Sequence, residues 1–345
     1  MSDKILKYSS GIDVSGDDFK VCFNQIDYEQ RIKVKGTRSF PNTLSGYQSY
    51  DSWLQKKHKD KTISLTITLE ATGVYHEKLA YFLHQKGYRV SVVLPNKAKK
   101  YLEALGLKSK TDHLDAKGLA QMGAEQRLEA WEPFSEHIYE LKTLCRHRAR
   151  LQKLKTLISN QIHAHEHMGY ITKAVIRQLK QTFKSFEKQL LKIEQEIELT
   201  LKKEEELDRK VRLIADSISG VGLMTVVTIV SETNGFRLFT SQSQLTSYSG
   251  FDVVERQSGK RSGKTKISKK GNKHIRKALY FPSLNVVRLQ TGTFSQFYSR
   301  VYERTAIPMK GYVAVQRKLL CLIFALWKKD QAFDPNFHKL EQEVV

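Results

Sequence analysis

Apolar and polar residues alternate with a period of two in the first third of the chain and with a period of about 3.6 in the middle, and that change divides it. Residues 8–30 predict a strand, a turn at Gly16-Asp17-Asp18 and a second strand, since YSSGIDVS and FKVCFNQI carry β-branched and aromatic residues on either side of good turn formers. A third strand, RIKVKG, follows, and then a helix over 44–57. TISLTITL at 62–69 reads as a strand ending at Glu70, and Ala71-Thr72-Gly73 turns into a helix over 76–85 that Gly87 closes. RVSVVL at 89–94 is a strand stopped by Pro95. A short helix with Ala98, Leu102 and Leu105 on one face comes next, and another helix begins at Thr111 or Asp112. Three strands followed by strands alternating with helices predict a mixed-sheet α/β domain over residues 1–128.

From Ser135 the repeat is helical. Leu141, Leu144, Leu151, Leu154, Ile158 and Ile162 form one stripe, and Leu179, Phe183, Phe186, Leu190, Ile193 and Ile197 a heptad seam. With Gly169-Tyr170-Ile171 as their hairpin, residues 129–208 predict two long antiparallel helices or a coiled coil between subunits. Residues 209–345 read as mainly helical: a helix, the turn Gly220-Val221-Gly222, a second helix, a basic stretch, a helix over 274–288 and a last one over 313–328. The glycine turn is either a backbone grip for phosphate or an ordinary helical turn. The whole is α/β plus α.

Composition adds a strong electrostatic bias. There are 58 basic residues against 36 acidic ones, a net charge of +22, which suits a polyanionic partner. Nucleic acid is the expected one, and no apolar run reaches the ~20 residues a membrane span needs. Lys4 and Lys7 precede Tyr-Ser-Ser-Gly rather than an apolar signal segment, so a cytoplasmic protein is expected. Cys22, Cys145 and Cys321 are scattered and suggest reduced thiols, with neither a disulfide framework nor a zinc spacing.

Two groups of residues carry candidate chemistry. Between Phe251 and Tyr280 lie ten basic residues (Arg256, Lys260, Arg261, Lys264, Lys266, Lys269, Lys270, Lys273, Arg276 and Lys277) against Asp252 and Glu255. Ser258 sits just before Gly259 among them. Its hydroxyl is either a nucleophile for a phosphodiester, with cations to neutralise the phosphorus oxygens, or a bystander in a phosphate-contacting loop. SGKRSGKT is no Walker loop, because its glycines enclose three residues rather than four. The second group is acidic. Asp13 lies in the first strand, Glu70 ends a later one, and Asp112 and Asp115 stand one turn apart on a helix. Singly, Asp112 and Asp115 read as a cap and a first-turn acid; together the four match what a ribonuclease-H-like sheet gathers to hold divalent metal. His163, Glu166 and His167 match the inverted zinc-protease spacing, but without a third ligand they read as solvent-facing or nucleic-acid-contacting side chains.

Gly11-Ile12-Asp13, Glu70-Ala71-Thr72-Gly73-Val74-Tyr75 and Lys110-Thr111-Asp112-His113-Leu114-Asp115-Ala116 together resemble the DEDD-type insertion-sequence transposases, recombinases guided by a bridge RNA. Ile218-Ser219-Gly220-Val221-Gly222, Gln257-Ser258-Gly259, Ser268-Lys269-Lys270-Gly271-Asn272 and Arg276-Lys277-Ala278-Leu279-Tyr280 are similar to the same family's C-terminal domain. The resemblance implies an RNase-H/RuvC-like domain, a long coiled-coil insert and a serine transposase domain. It also implies a tetrad of Asp13, Glu70, Asp112 and Asp115 holding Mg²⁺, with Ser258 as nucleophile. The implied partners are target and donor double-stranded DNA, a guide RNA and further copies of the chain, a dimer assembling to a tetramer. Arg256, Lys260, Arg261, Lys264, Lys266, Lys269, Lys270, Lys273 and Arg276 are the expected nucleic-acid contacts. The alternatives are a hydrolytic RuvC-like nuclease or junction resolvase, with Ser258 idle, and a non-catalytic nucleic-acid binder.

Overall fold

A computed structural model describes residues 4–71, 73–106, 111–170, 172–255, 257–258, 261–263, 265–289 and 292–334. The chain divides into two compact units, Met1–Pro133 and Phe134–Val345. The first contains β1 (Ile5–Val14), β2 (Asp18–Asp27), β3 (Ile32–Pro41), α1 (Leu44–Lys57), β4 (Leu65–Glu70), α2 (Glu77–Gln85), β5 (Val90–Val93), α3 (Pro95–Ala104) and α4 (Asp112–Glu125). Its five-stranded sheet has the order β3-β2-β1-β4-β5. β1 pairs antiparallel with β2 and parallel with β4, so the sheet is mixed as expected of an RNase-H/RuvC-like domain.

The two sheet faces are built differently, because side chains alternate along a strand. On one face Tyr8, Ile12, Phe19, Phe23, Ile67 and Leu69 bury against Tyr50 and Leu54 of α1 and Leu79 and Leu83 of α2. Thr43 caps α1 by accepting from the Gly46 N–H at 3.3 Å. The opposite face of β1 and β4 presents Ser9, Gly11 and Thr68, and α4 lies against it through small residues. A Cβ on Gly11 would stand 2.0 Å from the Ala120 nitrogen and 2.3 Å from the Ala116 oxygen. One on Gly123 would stand 2.5 Å from Ser9 Oγ and 2.4 Å from Thr68 Oγ1. Lys7 secures the other end of the helix, its ammonium donating to the Gly123 carbonyl and, at 3.2 Å, to that of Gln126. Burial, with the charge of Arg89, lowers the Lys7 pKa.

The second unit holds α5 (Glu136–Glu166), α6 (Lys173–Lys202), α7 (Glu205–Ser217), α8 (Leu223–Glu232) and α9 (Gln242–Tyr248). Then come β6 (Val253–Val254), β7 (Gln257–Ser258), β8 (Arg261–Ser262) and β9 (Lys266–Ile267), followed by α10 (Lys273–Ala278), α11 (Tyr280–Arg288), α12 (Gly292–Thr305) and α13 (Pro308–Lys329). α5 and α6 pair antiparallel within one chain, the first of the two expected arrangements. Arg148–Glu194 at 2.6 Å, Lys155–Glu187 at 2.9 Å and Glu166–Lys180 at 2.8 Å fix their register. At the root of this pair Leu141, Cys145, Ile197 and Leu201 join the core; farther along, Leu151 and Leu190 are buried while Leu154, Leu157 and Leu191 are exposed. The helix expected over 274–288 breaks at Leu279, because Pro282 lacks the N–H that would continue the ladder. The Gly220 turn packs against α11, where an added Cβ would meet Asn285 Cβ at 3.2 Å. No helix among the described residues is long and apolar enough to cross a membrane.

A fully buried carboxylate ties this helical core together. Glu232, at the end of α8, receives a two-pronged grip from Arg146 of α5, with Nε at 2.6 Å and Nη2 at 2.8 Å, and accepts from Asn272 Nδ2 at 2.7 Å. Burial alone would raise its pKa, but Arg146 and Asn272 hold it below the usual carboxylate value.

Two measurements check this packing. Gly11→Ala should destabilise the first unit by about 3 kcal/mol, because backbone rather than a movable side chain blocks the new methyl. Gly16→Ala, whose Cβ would meet only the Tyr75 ring at 3.5 Å, should be near neutral in the same urea titration. A depressed folded pKa makes Glu232 stabilising above its unfolded value and progressively less so as pH falls through the folded one. Wild type should therefore exceed Glu232→Gln by about 2 kcal/mol at pH 7. That advantage should begin to shrink below the ordinary value of 4.5 and be lost once pH has fallen through the lower folded value, as followed by denaturant midpoints.

Candidate active site

The carboxylates take their places from strand register and from α4. β1 and β4 run parallel with Ile12 opposite Leu69, so Asp13 and Glu70 occupy the next step on neighbouring strands. Asp13 follows Gly11 by two residues and Glu70 follows Thr68 by two, which puts both on the α4 face. Gly123 lies against Ser9 and Thr68, while Ala116 and Ala120 lie against Gly11. α4 therefore runs back along β1, with its first turn at the Asp13 end. That turn carries Asp112, exposed, and Asp115, half-buried, and Thr111 caps it by accepting from the Leu114 N–H at 3.3 Å. The positive end of the helix dipole favours both acids there.

The same end of the sheet holds a pair that pattern reading passed over. Lys20 stands opposite Asp13 across the β1–β2 ladder and its ammonium binds the Asp18 carboxylate. Lys20 holds Asp18 below the usual carboxylate range against the effect of burial, with the Ser15 hydroxyl and the charge of His113 adding to it. A cation thus stands beside the acidic strand ends. Carboxylate oxygens of this kind are the hard donors that Mg²⁺ takes. As placed, no three His, Cys, Asp or Glu side chains among the described residues are grouped closely enough to hold a metal ion.

Ser258 belongs to the second unit, on a hairpin that the sequence presents only as a glycine-broken loop. Val253 pairs with Ile267 and Val254 with Lys266; beyond them Gln257 pairs with Ser262 and Ser258 with Arg261. These nested antiparallel ladders place Ser258 at the far end, next to residues 259 and 260. Arg256, Gly259, Lys260 and Lys264 lie outside the described residues, as do Thr72, Lys110 and Ile171 of the other expectations. Lys266, Lys269, Lys270 and Lys273 are exposed along the return strand and just after it.

Two close backbone runs form the foot of the hairpin. The Asn272 N–H donates to the Tyr248 carbonyl at 2.7 Å, Lys269 to Gly250 at 3.1 Å and Ser268 to Asp252 at 2.8 Å. Gly271 is indispensable to this approach, for a Cβ there would fall 2.4 Å from the Tyr248 oxygen. Gly250 adopts φ +71°, in the left-handed region that favours glycine. Arg276 donates to the carbonyls of Ser249 at 2.7 Å and Lys269 at 3.1 Å, so its guanidinium braces this foot. Asn272 Oδ1 caps α10, accepting from His274 and Ile275, while its Nδ2 reaches Glu232.

The histidine pattern has an ordinary structural account. His163 and His167 stack at 4.3 Å, His167 Nδ1 bonds the His163 carbonyl at 2.8 Å, and Glu166 pairs with Lys180.

Comparison with known proteins joins the two halves of this arrangement. A DEDD-type IS110 transposase model matches residues 10–166, and the model of the IS116/IS110/IS902 transposase family matches residues 213–299. The pilin gene-inverting protein of Moraxella bovis is 27% identical over 330 residues, covering 95% of this chain and 98% of that protein. Its counterpart from Moraxella lacunata is also 27% identical over 330 residues. Among solved structures, RuvC of T. thermophilus in complex with a Holliday junction substrate overlaps 33% of this chain and 90% of that one, with a TM-score of 0.26 and 11% identity. The fowlpox virus Holliday junction resolvase overlaps 32% of this chain and 93% of that one, with a TM-score of 0.25 and 14% identity. The two matched segments contain all four acids and Ser258 respectively, and the likeness to the pilin-inverting proteins runs almost end to end: the chain belongs to the IS110 family of transposases.

Proposed function

We propose that this transposase is an RNA-guided DNA recombinase that cuts and rejoins DNA through a phosphoserine intermediate. The observation that carries rejoining, rather than cutting alone, is the near full-length kinship to pilin gene-inverting proteins. Inverting a gene requires each broken strand to be resealed in a new orientation, and a covalent protein–DNA link keeps the phosphodiester energy for that step.

In this reading Ser258 Oγ attacks the scissile phosphorus, its proton leaves to solvent or a nearby base, and the departing deoxyribose oxygen takes up a proton. A DNA hydroxyl then attacks the serine phosphodiester and restores the free serine. Asp13, Glu70, Asp112 and Asp115 would hold Mg²⁺, which supplies positive charge to the phosphate oxygens when bound. Lys266, Lys269, Lys270 and Lys273, exposed by the hairpin, would neutralise backbone phosphates without reading bases. A guide RNA would select target and donor duplexes by pairing. The charge of +22 supports holding this much polyanion at once. The working assembly would be a homo-oligomer, a dimer assembling to a tetramer.

Ser258→Ala should lower strand cleavage by at least about 1000-fold and abolish the covalent adduct on denaturing gels, while DNA affinity stays within about twofold. Undiminished cutting by this variant would favour direct hydrolysis. Asp13→Asn, Glu70→Gln, Asp112→Asn and Asp115→Asn should each reduce cutting by about 100-fold and diminish the melting shift caused by Mg²⁺. Variants that keep the full shift would remove the metal assignment. Cutting should also require the RNA that co-purifies with the protein; full activity after its removal would end the guided reading.

A further inference from the structure

We propose that Glu232 is a positioning residue for the serine: with Arg146 and Asn272 it forms a buried three-way joint that fixes the Ser258 hairpin to helix α5. This rests on the recombinase reading, because it is the nucleophile whose placement the joint would govern.

The joint has more hydrogen-bond geometry than a stability role requires. Glu232 is fully buried, with only 1% of its side chain exposed, whereas the Arg146 side chain is 36% exposed. A buried ion pair contributes little net stability, since desolvation offsets most of the attraction, and apolar replacements of equal volume are often neutral or better. Bidentate guanidinium–carboxylate geometry does fix orientation, and it here locks α8 to α5. The third arm is equally directional. The Asn272 amide is engaged through both ends: Oδ1 accepts from His274 and Ile275 at 2.9 and 3.3 Å, and Nδ2 donates to Glu232 at 2.7 Å and to Tyr248 Oη at 3.4 Å. Tyr248 Oη in turn donates to the Glu232 carbonyl at 3.1 Å.

These contacts converge where the hairpin begins and ends. Tyr248 precedes the outgoing strand and Asn272 follows the returning one, and the Asn272 N–H joins them through the Tyr248 carbonyl. Among the described residues beyond this foot are two short ladders of two pairs each, of which only the inner one, through Ile267, packs against the helical core. In this reading the backbone carrying Ser258 takes its course from the foot as well as from the inner ladder, and the foot is tied to Glu232. Through Arg146 the same joint connects the hairpin to the root of α5, a helix of 31 residues or about 46 Å.

The test uses the full-length protein with its guide RNA and two variants. Arg146→Met combined with Glu232→Leu exchanges the ion pair for apolar side chains. Asn272→Ser keeps a capping hydroxyl for α10 but loses the amide that reaches Glu232. Expected for both are a melting temperature close to wild type, DNA affinity within about twofold, and single-turnover cutting at saturating DNA slower by about 100-fold, the effect of misplacing a reacting group. The Ser268, Lys269 and Asn272 amides, which close the foot, should exchange with solvent about tenfold faster while core helices keep their protection. Cutting at the wild-type rate in either folded variant would overturn the proposal. If the double variant fails to fold, Asn272→Ser decides alone. If wild type itself does not cut DNA, the recombinase reading fails, and the positioning claim is still judged by amide exchange: unchanged exchange at the foot would sink it as well.

Discussion

Helix α4 can carry two of the four acids to the strand ends only because its backbone touches the sheet. The contact is made where Gly11 meets Ala116 and Ala120 and where Gly123 meets Ser9 and Thr68. A methyl group at either glycine would force the helix outward, and with it the turn bearing Asp112 and Asp115. Close approach also explains why this sheet face is poor in large apolar groups. Large side chains would serve burial but lift the helix away, so the hydrophobic weight of the unit rests on the opposite face, around Tyr50, Phe19 and Phe23. Lys7, on the C-terminal carbonyls of α4, fixes the other end.

The second unit orients its chemistry by a different device. Ser258 lies on the outer of two minimal ladders, and the foot from which they rise is built of directional hydrogen bonds. Glycines at 250 and 271 let the two chain ends touch, Arg276 braces their carbonyls, and the Glu232 joint links them to α5. Close steric packing places a pair of carboxylates well, since the error is limited by hard contacts. Directional bonds suit a hairpin, where little surface is available to bury.

The local pattern made the sheet legible. Alternation marked β1, β2 and β4; the helix read over 44–57 matches α1; and the helical seams marked α5 and α6. What the residues did not disclose was partnership across long separations. Glu232 and Arg146 stand 86 positions apart, and nothing local distinguishes that glutamate from a solvated helix end. The hairpin was read as turns because its strands are two residues each, too short for alternation to register. α9 is hidden for a related reason, its apolar positions being sparse and mixed with serine, threonine and glutamine. Of the candidate cations, Arg276 also donates to the backbone carbonyls of Ser249 and Lys269, a role only the folded chain reveals. Lys20 went unnoticed as the cross-strand neighbour of Asp13, since pairing register is set by the turn between them.

Stereochemistry at phosphorus tests the central claim, a covalent serine intermediate, most directly. A DNA substrate with a single chiral phosphorothioate at the scissile position would be recombined and the configuration of the product junction determined. Attack by Ser258 followed by attack of a DNA hydroxyl comprises two in-line displacements, each of which inverts phosphorus. The account predicts net retention in the rejoined strand. Net inversion would mean a single displacement, with no serine ester on the path, and would contradict it.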